Sequence, residues 1–263
     1  MKKTGSVIAT ISIVFLIIIY VTLWRLGVSK LIMPFSVGGF VVASVTGIIS
    51  SIHMIRKASD PTPPEGFVQE LTDWIRFLSI STLIIMTVFT FIIFSSSVSG
   101  DSMEDTLHDE DRILVYLFDY VPQRNHVIVL RVTRTEYAHI NASHFRDDDG
   151  TLQDTVYFIK RVVGMPGDAV GFIYEEEIEG YRLTIGGVVL KTPEGKLYDI
   201  TPEARDRIIL YALGDDGKLL DGQFLLFGDH VEVSGDSGDF GAFHEDDIVG
   251  RAIVRLWPFG GIS

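Results

Sequence analysis

The chain has 263 residues, no cysteine, a net charge of −13 and an apolar fraction of 47% with mean hydropathy +0.30. The missing cysteine excludes disulfides, thiolate metal sites and a cysteine nucleophile together. The charge is uneven: residues 1–98 carry seven basic against four acidic side chains, leaving 15 basic and 31 acidic in 99–263, and so acidic a segment excludes nucleic acid as a partner, because phosphate binding needs clustered Lys and Arg.

Residues 5–24 carry no charge and are long enough to cross a hydrocarbon core of roughly 30 Å as a helix. Lys2 and Lys3 precede the run as in a secretory signal, but Val21-Thr22-Leu23-Trp24-Arg25 has no small-x-small cleavage site, so it reads as an uncleaved anchor. Two further uncharged runs follow at 31–52 and 77–99. Any one of them fits a buried helix of a globular protein; three together predict three transmembrane α-helices and a membrane anchor over 1–99. Lys2, Lys3, Arg56, Lys57 and Arg76 then fall on one side and only Arg25 and Lys30 on the other. The richer side faces the cytoplasm, so residues 100–263 are expected outside it, on a multi-pass protein of the cell membrane.

From residue 100 the pattern changes to short apolar runs separated by Gly, Asp and Pro. Runs at 113–117, 127–130, 156–163, 222–227 and 248–256 read as strands, with few helical periods between them. The expected fold is a mostly β domain, preceded by the three spans. Residues 133–155, with Asp147-Asp148-Asp149, read as a polar excursion. Residues 175–221, with Gly186-Gly187 and Gly214-Asp215-Asp216-Gly217, read as an insertion between core strands.

Ser102 lies just past the third apolar run, a position from which a hydroxyl can meet a membrane-bound substrate. A serine hydroxyl needs a base within hydrogen-bond reach, and His53, His108, His126, His139, His144, His230 and His244 are scattered without a convincing arrangement. Glu175-Glu176-Glu177 and His244-Glu245-Asp246-Asp247 lack paired ligands at a metal-binding spacing, so no metal or other cofactor is expected. Lys160 interrupts the apolar run Val156–Val163, where alternation puts it on one face with Phe158 and Val162. An ordinary lysine is protonated at neutral pH; apolar burial lowers its pKa and frees it to act as a base. The residues alone leave two readings open, a buried base or a surface lysine with its head in solvent, as expected for Arg161 on the other face.

The segment Ser99-Gly100-Asp101-Ser102-Met103-Glu104-Asp105-Thr106-Leu107 resembles the serine motif of bacterial type I signal peptidases in its Gram-positive form, and Tyr157–Asp168 resembles their lysine motif, with the Gly-x-Pro-Gly-Asp tail intact. The resemblance runs from about residue 77 to 258. It implies a serine endopeptidase with Ser102 as nucleophile and Lys160 as general base. The backbone N–H of Ser102 is then an oxyanion donor, and Gly100 stands where some relatives carry a second, serine donor. A third block, Gly228-Asp229-His230-Val231-Glu232-Val233-Ser234-Gly235-Asp236-Ser237-Gly238, is similar to the family's Gly-Asp-Asn-Arg-x-x-Ser-x-Asp-Ser-Arg. There the resemblance implies that Ser234 orients the lysine and that Asp229 and Asp236 give structural support. His230, Val231 and Gly238 replace an Asn and two arginines, so both acids are expected to lack their usual partners. Asp105 replaces a proline, and Asn125-His126 a Gly-Asp pair; the chain reads as a divergent member.

Gly235-Asp236-Ser237-Gly238 also repeats the short nucleophile motif of chymotrypsin-like proteases, but that motif needs an upstream His and Asp and usually continues Gly-Pro, not Asp239-Phe240. The function implied is removal of signal peptides from exported pre-proteins, whose extended ends would add to a sheet edge. The expected partners are therefore those signal peptides and the lipid bilayer. Two alternatives remain: a specialised processing or assembly factor for surface polymers such as pili, and a non-catalytic membrane-tethered peptide-binding domain.

Overall fold

The computed structural model describes residues 88–89, 92–147, 149–231 and 235–262. The apolar runs 5–24 and 31–52, and residues 77–87 of the third, lie outside these. Among the described residues no helix is long and apolar enough to cross a membrane. The chain divides into two compact units, 1–92 and 93–263, and the second is described below.

Its first element corrects the sequence reading. The third apolar run, drawn as a helix to residue 99, is a strand over its last part: β1 (Ile93–Ser97) pairs antiparallel with β2 (Arg112–Tyr116), Ile93 opposite Tyr116 and Ser97 opposite Arg112. A short apolar run fits helix or strand equally by periodicity, and a partner with free ladder groups settles it. The second unit begins at Ile93.

The remaining large-sheet strands are β3 (Val127–Thr133), β4 (Thr155–Gly164), β9 (Gln223–Phe227), β10 (Phe243–His244), β11 (Ile248–Trp257) and β12 (Phe259–Gly261). They lie in the order β1-β2-β11-β3-β4-β9-β10, with β12 on β11, and include all five runs expected as strands. Between β4 and β9 the chain builds a second sheet from β5 (Val170–Glu175), β6 (Gly180–Ile185), β7 (Val188–Val189) and β8 (Asp199–Ile200), followed by helix α1 (Pro202–Ala212). The second sheet thus begins five residues before the insertion expected from the sequence, at Val170.

Helix α1 is also absent from the sequence reading. Thr201 caps it by accepting from the Ala204 N–H, Pro202 opens it, and Ala204, Ile208 and Ala212 form its buried stripe. That stripe is one residue wide, and the exposed Leu210 blurs it, so only the Thr-Pro-Glu start signal stands out in the sequence.

β3 is buried on both faces. Ile128, Leu130 and Val132 join Val162, Phe224, Leu226, Phe240 and Phe243 in one core, while Val127 and Val129 join Met103, Leu107, Ile113 and Val115 in another. A third core links Val163, Leu225 and Phe227 to Leu183, Tyr198, Ile200 and the buried stripe of α1. The middle of β4 therefore passes between apolar layers. Any charged residue placed there must be paired or neutralised.

Candidate active site

Ser102 sits on the connection from β1 to β2, whose base is closed by the Val98 N–H donating to Asp111 O (2.8 Å) and the Glu110 N–H to Val98 O (3.1 Å). Within it, the Leu107 N–H donates to Met103 O at 2.7 Å, and the buried Met103 and Leu107 anchor the loop in the core beneath. This leaves Ser102 half-buried between two anchored turns.

The stretch after β9 closes over the same loop. The His230 N–H donates to Ser102 O at 3.2 Å, and a Cβ on Gly228 would come within 2.3 Å of that same oxygen. Only a glycine permits this approach. The His230 ring Nδ1 lies 3.2 Å from Asp101 O and 3.5 Å from Glu104 Oε2. His230 was one of the scattered histidines of the sequence reading; the fold brings it to the serine loop, where its ring meets Asp101 and Glu104.

Lys160 is 1% exposed. Its ladder partner is Ile128, and its Nζ lies 6.0 Å from the centre of the Phe158 ring. Burial pushes its pKa down from the ordinary lysine value, against the upward pull of Asp236, Asp239 and Asp229. Lys160 is therefore buried, not a surface lysine with its head in solvent. Among the described residues no hydrogen bond joins the Ser102 hydroxyl to Lys160.

The neighbouring residue overturns an expectation. Arg161 is buried, not solvent-facing: its Nε and Nη2 donate to Asp229 Oδ1 and Oδ2, each at 2.7 Å, and its Nη1 donates to Asn125 O at 2.7 Å. Asp229, expected to lack an arginine, has one from β4. Thr106 of the serine loop donates to Asp229 Oδ2 at 2.5 Å and accepts from Arg161 Nη2 at 3.2 Å. This network fastens the serine loop, the chain after β9 and the lysine strand to one another, through contacts 55 to 123 residues apart in sequence.

Asp236 accepts from the Gly238 N–H at 2.8 Å, capping the one-turn helix α2 (Ser237–Phe240). Its carboxyl is withdrawn from water although part of the residue's surface remains accessible, and this desolvation raises its pKa to about 6, against the opposing charge of Lys160. Ser234 lies outside the described residues.

Ser237 is fully buried, and its Oγ accepts from the Leu226 N–H at 2.8 Å. Its hydroxyl is committed to the core. At the end of the lysine motif, Arg124 reaches Asp168 with two contacts of 2.7 Å and donates to Val163 O. Arg124 stands before β3 in a stretch that carries no local sequence signal for this role.

The unit is mostly β, and its serine-bearing loop is tied through Thr106 to the strand that carries the buried Lys160. The family described as "Signal peptidase, peptidase S26" matches residues 71–257, and the chain belongs to that family. Signal peptidase IB of Staphylococcus aureus (strain Mu50) is 30% identical over 203 residues, covering 73% of this chain and 92% of the relative. Signal peptidase I of Leptolyngbya laminosa is 28% identical over 191 residues, covering 72% and 80%. The crystal structure of a signal peptidase I from Enterococcus faecalis V583 is similar at 20% identity with a TM-score of 0.30, covering 50% of this chain and 97% of that one.

Proposed function

We propose that this protein removes signal peptides from exported pre-proteins with Ser102 as nucleophile and Lys160 as general base. The observation that carries this reading is the burial of Lys160 among apolar side chains, which favours its neutral, proton-accepting form. In the proposed sequence Ser102 Oγ attacks the scissile carbonyl carbon while its proton passes to Lys160. The resulting oxyanion is stabilised by backbone donors, the Ser102 N–H first among them. Lys160 then protonates the leaving amine, and the C–N bond breaks to give an acyl-enzyme. A water deprotonated by Lys160 attacks the ester, releasing the signal peptide and regenerating Ser102. Catalytic hydrogen bonds are often long in the free enzyme and tighten with substrate, so the reading does not require a Ser102–Lys160 bond at rest.

Ser234 is proposed to orient Lys160, with Asp229 and Asp236 supporting the site. The uncharged runs 5–24, 31–52 and the first part of 77–99 are proposed as spans that anchor the peptidase unit to the outer face of the cell membrane. The test uses the full chain in detergent with a secretory precursor, sequencing the new N-terminus. Ser102→Ala and Lys160→Ala should each abolish the cut, and cleavage by the free enzyme should fall as pH drops through the depressed pKa of Lys160. Activity that stays flat into mildly acidic solution, or that survives either substitution, rules the dyad out.

A further inference from the structure

The insertion between β4 and β9 reaches the serine loop. Its chain turns back between β7 and β8 in a tight hairpin: Lys191 and Leu197 form a bridge, the Thr192 N–H donates to Lys196 O at 2.8 Å, and the Lys196 N–H to Thr192 Oγ1 at 3.2 Å. Beside this tip the buried Tyr198 packs on Phe227, ring centres 5.3 Å apart. Lys196 at the tip is paired with Asp105, three residues after Ser102.

Asp105 is not an ordinary place for such a contact. Its φ is +86°, the left-handed region, uncommon for residues other than glycine although aspartate enters it more readily than most. On its other side the loop is held by the Thr106–Asp229 bond.

We propose that Lys196 is a positioning residue for Ser102, acting through Asp105: the ion pair holds the left-handed turn and thereby the direction from which the Ser102 hydroxyl meets its substrate. The proposal rests on Ser102 being the nucleophile. The insertion is then a working part of the peptidase site, not an addition remote from it.

The test is steady-state cleavage of a secretory precursor by the full chain in detergent, with thermal unfolding measured alongside. The pair is partly exposed, so its loss should cost about two- to five-fold. Lys196→Met should lower kcat by that factor with KM unchanged, and Lys196→Arg should restore it. In an Asp105→Gly background, where glycine accepts the positive φ unaided, Lys196→Met should lower kcat by less than it does in the parent chain. Wild-type kcat in Lys196→Met, no rescue by arginine, or an equal loss in the glycine background would each overturn the proposal. Cleavage that survives Ser102→Ala instead overturns the assignment of Ser102, whatever the Lys196 variants do.

Discussion

Arg161 holds Asp229 through two hydrogen bonds of 2.7 Å, with both side chains buried. The pair stands where three segments distant in sequence meet, and removing one partner leaves a buried charge uncompensated. Arg161→Met should therefore destabilise the protein by about 3–5 kcal/mol, read by chemical denaturation. Arg161→Lys should recover only part of this, since an ammonium cannot reproduce the paired contact. Arg161→Met combined with Asp229→Leu should be more stable than Arg161→Met alone.

If Lys160 is the base, as proposed, its burial sets stability against activity. Its folded pKa lies below the ordinary 10.5, so between those two values the unfolded chain binds the extra proton and stability rises with pH. Below the folded value both states are protonated and the cost of burying the ammonium is fully present. Lys160→Met, which keeps the length without the charge, should abolish cleavage and raise the thermal midpoint at neutral pH. A lowered midpoint would show that the ammonium is well solvated or paired.

Asp236 should set the acid side of the pH profile. Its negative charge pulls the Lys160 pKa upward, as do Asp239 and Asp229, while His144 and Arg207 lie 3.9 and 3.8 Å from Asp239. Asp236→Asn keeps a capping oxygen for the Gly238 N–H but removes the charge, so the acid limb of the cleavage profile should move to lower pH. Its raised pKa also has a stability consequence. The folded state keeps the proton up to about 6 and the unfolded state only to 3.8, so stability falls as pH rises through that window. Denaturation midpoints measured across it should lose this slope in Asp236→Asn.

Ser237 and Ser102 should respond in opposite ways to alanine. Ser237→Ala strands the Leu226 N–H in the core, at a cost of about 1–3 kcal/mol, and should leave acyl-enzyme formation intact at temperatures where the protein is folded. Mass spectrometry of the trapped acyl-enzyme should place the adduct on Ser102.

The sequence by itself determined the β character of the second unit and its family. The strands at 113–117, 127–130, 156–163, 222–227 and 248–256 were legible because they are short, apolar and bounded by turn residues. Alternation was enough to put Lys160 on a face with Phe158 and Val162. What covers a face cannot be read that way. Arg161 looked solvated because nothing near it in sequence suggests Asp229, 68 residues away, and Lys196 drew no notice because its partner is 91 residues away. The residues of β1 read equally as the end of a helix, because an apolar run shows no preference until a neighbour offers it a ladder. The tertiary structure alone decided which charges are paired, which lysine is dry and which loop meets the serine. Those outcomes depend on contacts between distant segments, and local periodicity carries no information about them.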